Sequence, residues 1–201
     1  MAENNSESMK ITLFVLGNSR VGKTCFLNRY VKNEFMGDHI TTIGIDYLSK
    51  STVLPNGKKV QILFYDTAGQ ERYQTIAFNL VKNADGIMLM YDITDMKTFE
   101  DISGWIKSIR EIKGDDFPIV LIGNKCDLKD ERVVDKEDGE ELATKNGFLF
   151  FETSCKDNIN VEESINAIAS KVNKEEEIIT KGRTISLDKL ALKEQKKKCD
   201  C

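Results

Sequence analysis

The residues Gly17-Asn18-Ser19-Arg20-Val21-Gly22-Lys23-Thr24 separate an apolar, β-branched run, Ile11 to Leu16, from a run of helical character, Lys23 to Lys32. A glycine-bearing turn between a strand and a helix admits few folds, because it makes the first unit of the chain a βα step. Its chemistry is equally restrictive. Glycines let successive backbone N–H groups converge on a phosphate, and the helix N-terminus adds positive potential. Lys23 supplies a cation for β/γ-phosphate oxygens, and the Thr24 hydroxyl is a hard oxygen ligand for Mg²⁺.

The rest of the chain continues the same alternation. Ile45 to Leu54 and Lys59 to Tyr65 flank the turn Pro55-Asn56-Gly57 and predict an antiparallel hairpin at a sheet edge. Buried strands are predicted at Gly86 to Tyr91, Ile119 to Ile122 and Phe148 to Phe151. Helices are predicted at Lys23 to Lys32, Glu71 to Lys82, Thr98 to Lys113, Asp135 to Asn146 and Val161 to about Glu177, the last carrying Ile165, Ile168, Ala169 and Val172 as an apolar stripe. The expected architecture is α/β, a six-stranded, mostly parallel sheet with one antiparallel edge strand and five helices. Residues 10–179 are read as the folded domain, 1–9 as a disordered N-terminus and 180–201 as a flexible basic tail.

Two further motifs fall at predicted strand ends. Asp66-Thr67-Ala68-Gly69-Gln70 follows the strand that would lie beside the first, which places Asp66 to hold an Mg²⁺-bound water. Gly69 leaves a backbone N–H free to approach a γ-phosphate, and Gln70 is able to orient an attacking water, the main protein task in this loose-transition-state chemistry. Asn124-Lys125-Cys126-Asp127 and Thr153-Ser154-Cys155-Lys156 each lie just beyond a buried strand, where α/β sheets bind ligands. A carboxylate at Asp127 only accepts hydrogen bonds. It matches the adjacent N1–H and amine donors of guanine, whereas adenine presents a lone pair at that place. Between the first helix and the hairpin, Thr41-Thr42-Ile43-Gly44 is a polar stretch whose hydroxyls could reach Mg²⁺ only with a γ-phosphate present, the form of an order-disorder switch.

Charge and cysteine usage narrow the setting. The formal net charge is −4, which argues against a nucleic-acid partner. Residues 180–201 carry seven Lys or Arg against three acids, so the tail is +4 and the remainder −8. No apolar run is long enough to span a bilayer, and the polar start Met1 to Lys10 does not read as a signal peptide. The expected compartment is therefore the cytoplasm. Of five cysteines, Cys25, Cys126 and Cys155 sit inside the motifs above, which does not suit a disulfide framework. Cys199 and Cys201 close the chain behind Lys196 to Lys198. Two lipid chains, or one plus a basic patch, give a stable membrane anchor where a single chain does not.

Taken in this order, the motifs resemble the Ras-like small GTPases and, within them, the Rab family, over residues 10–177 and the terminal cysteines. Ile43-Gly44-Ile45-Asp46-Tyr47 resembles the Rab effector region, and Arg72-Tyr73-Gln74-Thr75-Ile76 and Leu89 to Thr94 resemble further Rab segments. Gly86 to Leu89 and Asn158 to Glu163 look most like secretory-pathway members. The resemblance implies a Ras-like P-loop fold in which Gly17 to Cys25 and Thr41 with Thr42 line the phosphates. It implies Mg²⁺ held by Thr24 and Thr42 and, through water, by Asp66. Phe35 would pack on the guanine framed by Asn124, Lys125, Asp127, Ser154, Cys155 and Lys156. Cys199-Asp200-Cys201 looks like a double-geranylgeranylation site.

The implied function is a switch that binds GTP and GDP, hydrolyses GTP slowly at Gln70 and recruits effectors to vesicle membranes. The implied partners are an exchange factor, a GTPase-activating protein, a GDP dissociation inhibitor, an escort protein with its geranylgeranyl transferase, and effectors. A monomer in solution, reversibly attached to the cytosolic face of an endomembrane, is expected. The chain departs from the family pattern at Tyr65 (usually Trp), Cys155 (usually Ala), Arg20 (usually Gly or Ser) and Phe78 to Ala84. None of these removes a catalytic group. Two rival classes fit less well. A P-loop phosphotransferase needs an arginine-bearing lid and an acceptor pocket, and neither is visible; a GTP-binding module without hydrolysis would not need Gln70, Thr42 and both Mg²⁺ groups.

Overall fold

Odd and even positions of the first strand face opposite sides of the sheet, so Ile11, Leu13 and Val15 enter one core while Phe14 and Leu16 enter another. The computed structural model describes residues 9–35, 45–67 and 81–174, without the side chains of Ile45 and Thr67. The strands are β1 (Met9–Leu16), β2 (Ile45–Val53), β3 (Lys59–Thr67), β4 (Gly86–Asp92), β5 (Ile119–Asn124) and β6 (Leu149–Thr153). They form a six-stranded sheet in the order β2-β3-β1-β4-β5-β6. Only the β2–β3 pair is antiparallel. Its turn closes where Gly57 N–H donates to Leu54 O at 2.8 Å and Asn56 Oδ1 accepts from Lys58 N–H at 3.0 Å, as Pro55-Asn56-Gly57 leads one to expect.

The helices are α1 (Lys23–Lys32), α2 (Met96–Glu100), α3 (Ile102–Lys113), α4 (Lys136–Asn146) and α5, residues 161–174. A 3-10 turn occupies Lys129–Glu131. Phe26, Leu27 and Tyr30 of α1 share one core with Ile165, Ile168, Ala169 and Val172 of α5. Trp105, Ile106 and Ile109 of α3 and Ala143 of α4 fill the other. With both faces covered, β4 and β5 are buried along their whole length.

The helix expected at Thr98 to Lys113 is in fact two. The first starts two residues earlier because Asp95 Oδ1 caps it, accepting from Lys97 N–H at 3.0 Å. The second begins after Asp101, whose carboxylate is engaged by the Asn18 amide at 2.8 Å and the Lys97 ammonium at 2.8 Å. Of the helix expected at Glu71 to Lys82, only Val81 and Lys82 lie among the described residues.

Candidate functional site

The carboxyl ends of β1, β3, β4, β5 and β6 and the N-terminus of α1 meet on one side of the sheet, the usual ligand crevice of this architecture. The loop from Gly17 to Gly22 is held there by close backbone approach. A Cβ at Gly17 would lie 2.1 Å from Met90 O of β4. Gly22, the N-cap of α1, has φ 99°, and a Cβ there would lie 2.3 Å from Asn124 Nδ2. Arg20 is also left-handed, at φ 66°, and its side chain is exposed, as is that of Ser19.

Lys23 is 6% exposed and folds back over the loop, donating to Gly17 O at 2.9 Å and Asn18 O at 2.7 Å. Burial pushes its pKa down to about 8, with Asp66 pulling in the opposite direction. A buried ammonium beside a helix N-terminus with no side-chain cap gives a positive potential suited to an anion. The Asn18 side chain fixes the loop from outside, donating to Asp101 Oδ2 at 2.8 Å and accepting from Trp105 Nε1 at 3.0 Å.

At the end of β3, Asp66 is buried and its Oδ2 accepts from the Thr24 hydroxyl at 2.6 Å. A carboxylate and a hydroxyl are thereby paired directly beside Lys23, a donor set of hard oxygens that fits Mg²⁺.

The residues expected to frame a base form a second connected cluster. Asn124, 2% exposed, donates from Nδ2 to Val21 O at 2.8 Å and accepts at Oδ1 from Thr153 Oγ1 at 3.0 Å and from the Cys155 thiol at 3.5 Å. It thus joins β5, β6 and the phosphate loop. Lys125 sits at φ 69°, a costly conformation for a non-glycine residue, and its ammonium pairs with Asp92 Oδ2 at 2.5 Å. Asp92 Oδ1 in turn accepts from Thr94 N–H at 2.9 Å and Thr94 Oγ1 at 2.7 Å. Ser154 Oγ donates to Asp127 Oδ1 at 2.6 Å and accepts from Asp157 N–H at 3.0 Å. Arg29 bonds the carbonyls of Cys155 and Lys156, and its guanidinium lies 6.0 Å from the ring centroid of Phe35, which is 44% exposed.

Cys25, Cys126 and Cys155 are free thiols. Burial raises the pKa of all three, that of Cys155 to about 12, so they remain neutral at ordinary pH. Tyr65, in place of the usual Trp, stacks on Phe14 at 4.5 Å and 8°. Asp46 and Tyr47 are exposed on β2, Tyr47 at 68%.

Gly17 to Cys25, Asp66, Asn124, Lys125, Asp127, Ser154, Cys155 and Lys156 are therefore brought to one side of the molecule, with Phe35 beside Arg29. Thr41, Thr42, Ile43, Gly44, Gly69, Gln70, Arg72, Tyr73, Cys199 and Cys201 lie outside the described residues, and Ile45 is described only as backbone. Sequence reading missed Asp92 and Arg29 as parts of the site. Asp92 stood in the quoted Leu89 to Thr94 segment, and its place at the end of a buried strand was the available signal.

The Ras family model matches residues 12–174. The chain is 46% identical over 160 residues to the Ras-related protein Rab-10 of Diplobatis ommata, covering 80% of each chain. It is 44% identical over 160 residues to Ras-related protein Rab-13 of Bos taurus, covering 80% of this chain and 78% of that one. Against Ras-related protein Rab-3D of Homo sapiens it is 44% identical over 176 residues, covering 86% and 80%. With the glycine-bearing loop, the Thr24–Asp66 pair and the Asn124, Asp127 and Ser154 cluster converging on one crevice, the chain belongs to the Ras family and, within it, to the Rab proteins, small GTPases of vesicle trafficking that bind and hydrolyse GTP.

Proposed function

We propose that Gly17 to Cys25 hold the phosphates of GTP or GDP and that Asn124, Lys125, Asp127, Ser154, Cys155, Lys156 and Phe35 hold the guanine. The observation that carries this reading is Lys23, a buried ammonium held over its own loop by two carbonyls at 2.9 and 2.7 Å, next to the Thr24–Asp66 pair. Thr24 and Asp66, joined by Thr42 in the GTP state, are the residues that would hold Mg²⁺. When bound, the ion neutralises charge on the phosphate oxygens.

Lys23 and the α1 N-terminus stabilise charge on the transferred phosphoryl group, the Gly69 N–H approaches it, and Gln70 orients the water that attacks it. Intrinsic hydrolysis is slow, on the order of 10⁻⁴ to 10⁻² s⁻¹, and a GTPase-activating protein accelerates it. Thr41 to Tyr47, with Arg72 and Tyr73, form the surface that effectors and the exchange factor read. The exposed Asp46 and Tyr47 suit that role.

Among the described residues no helix is long and apolar enough to cross a membrane. Attachment to the cytosolic face of an endomembrane rests on lipids on Cys199 and Cys201 aided by the basic tail, with an escort protein, its transferase and a GDP dissociation inhibitor handling the lipidated monomer. Single-turnover hydrolysis of GTP by Gln70→Leu tests the mechanism. The variant should bind GTP as the parent does and hydrolyse it at least about tenfold more slowly. Hydrolysis at the parent rate would refute the role of Gln70.

A further inference from the structure

We infer that Arg29 is a positioning residue for base selectivity, holding the loop after β6 so that it presents an N–H donor to a 6-oxo purine. The inference rests on the guanine reading of this crevice. Arg29 lies in the last turn of α1, far in sequence from the loop it touches, and is half-buried. Its Nε donates to Cys155 O at 2.7 Å and its Nη2 to Lys156 O at 3.2 Å, so the planar fork grips two successive carbonyls. Its Nη1 donates to Asn33 O at 3.1 Å and Asn33 Oδ1 at 3.3 Å, tying down the left-handed residue (φ 57°) that ends α1 and leads to Phe35. The same guanidinium stands 6.0 Å from the Phe35 ring centroid. One side chain thus spans both walls of the base site, the Phe35 segment and the Ser154 to Lys156 loop.

The consequence for selectivity follows from peptide geometry. In a trans peptide the C=O of one residue and the N–H of the next point in opposite directions. With Cys155 O held toward Arg29, the Lys156 N–H is fixed facing away from it. The adjacent peptide is fixed as well, because Asp157 N–H donates to Ser154 Oγ at 3.0 Å and that hydroxyl donates to Asp127 at 2.6 Å. A rigid N–H donates to a purine 6-oxygen and repels a 6-amine, so guanine is favoured at an edge distinct from the one Asp127 reads. A lysine in place of Arg29 carries the same charge but cannot grip two carbonyls at once.

The test measures affinities for GDP and for 2,6-diaminopurine riboside diphosphate, which keeps the 2-amine, replaces the 6-oxygen by an amine and turns the N1–H that faces Asp127 into a lone pair, the last a change common to the parent and both Arg29 variants. Both are obtained by competition against fluorescent GDP for the parent, Arg29→Ala and Arg29→Lys. Arg29→Ala should release GDP about tenfold faster, a fold-change of the size of one charge-assisted hydrogen bond. The preference for GDP over the diamino analogue should shrink by about fivefold or more, and Arg29→Lys should not restore it. An equal loss for both nucleotides, or full rescue by lysine, would overturn the inference and leave Arg29 as a brace. So would unchanged release and unchanged preference in a variant that melts within about 3 °C of the parent when GDP-bound. If Arg29→Ala fails to fold, the lysine variant alone decides, since retained preference there contradicts the fork. Failure of the guanine reading is separately visible, because the parent itself would then not prefer GDP over the diamino analogue.

Discussion

Asn124, at the end of β5, donates to the carbonyl of Val21 in the glycine-bearing loop at 2.8 Å, so the strand that opens the proposed base-binding motif also holds the loop proposed to cradle phosphate. The bond is buried, and Gly22 next to it leaves no room for a Cβ, which would lie 2.3 Å from the same amide. The proposed base and phosphate sites are therefore one mechanical unit rather than two neighbours.

Asn124→Ala should consequently weaken both. Removing the amide takes away the bond to Val21 O and the acceptor for Thr153, at a cost of about 1–3 kcal/mol in stability. GDP release, followed with a fluorescent analogue, should quicken by about tenfold or more. A variant with parent-like melting and parent-like release would show that the loop is held by other means.

Asp92 is expected to act through Lys125. The carboxylate pairs with the Lys125 ammonium and also receives Thr94 N–H, and an amide at this position keeps the second role while losing the charge. Asp92→Asn should fold normally yet release GDP severalfold faster, by about 1 kcal/mol of lost pairing at a partly exposed lysine. Unchanged release would mean that Lys125 is placed by its own strained backbone alone.

The pH dependence of nucleotide affinity should carry the signature of Lys23. In the free protein burial holds its pKa at about 8, below its ordinary 10.5, while a bound phosphate favours the protonated form. Affinity should then be complete below pH 8 and fall as pH rises through 8, where the free protein loses the proton and binding must restore it. Titration calorimetry between pH 7 and 9.5 should show proton uptake on GDP binding that grows across this window, to be absent in Lys23→Met if that variant binds measurably. Proton release in the same window would contradict the burial argument.

Much of this was legible in the chain itself, for identifiable reasons. Strands such as Gly86–Asp92 announced themselves because burial on both faces demands a continuous apolar run, and the Pro55-Asn56-Gly57 turn fixed the hairpin. Strand ends were less visible. β5 continues through Gly123 and Asn124, residues that strands ordinarily disfavour, because β4 and β6 supply a ladder on both sides. The start of α2 at Met96 lies two residues ahead of the expected Thr98 because the Asp95 side chain caps it. The motifs proposed to bind base and phosphate stand out by their residue types, whereas Arg29 does not. Its partners are main-chain carbonyls of Cys155 and Lys156, which carry no signature in the sequence, and Asn18 meets Trp105 through contacts that only the folded sheet brings together.

The central claim, that these strand ends form a guanine-nucleotide site read by Asp127, is tested most directly by exchanging the carboxylate for an amide. Asp127 accepts from Ser154 Oγ at 2.6 Å and keeps acceptor capacity for the two donors of guanine. Paired affinity measurements for GTP and xanthosine triphosphate on the parent and Asp127→Asn decide the matter. GTP affinity should fall by about a hundredfold or more, while xanthosine triphosphate, which presents an acceptor to the new amide, becomes the preferred ligand. An Asp127→Asn variant that binds GTP as tightly as the parent, with no gain for xanthosine triphosphate, would contradict the account.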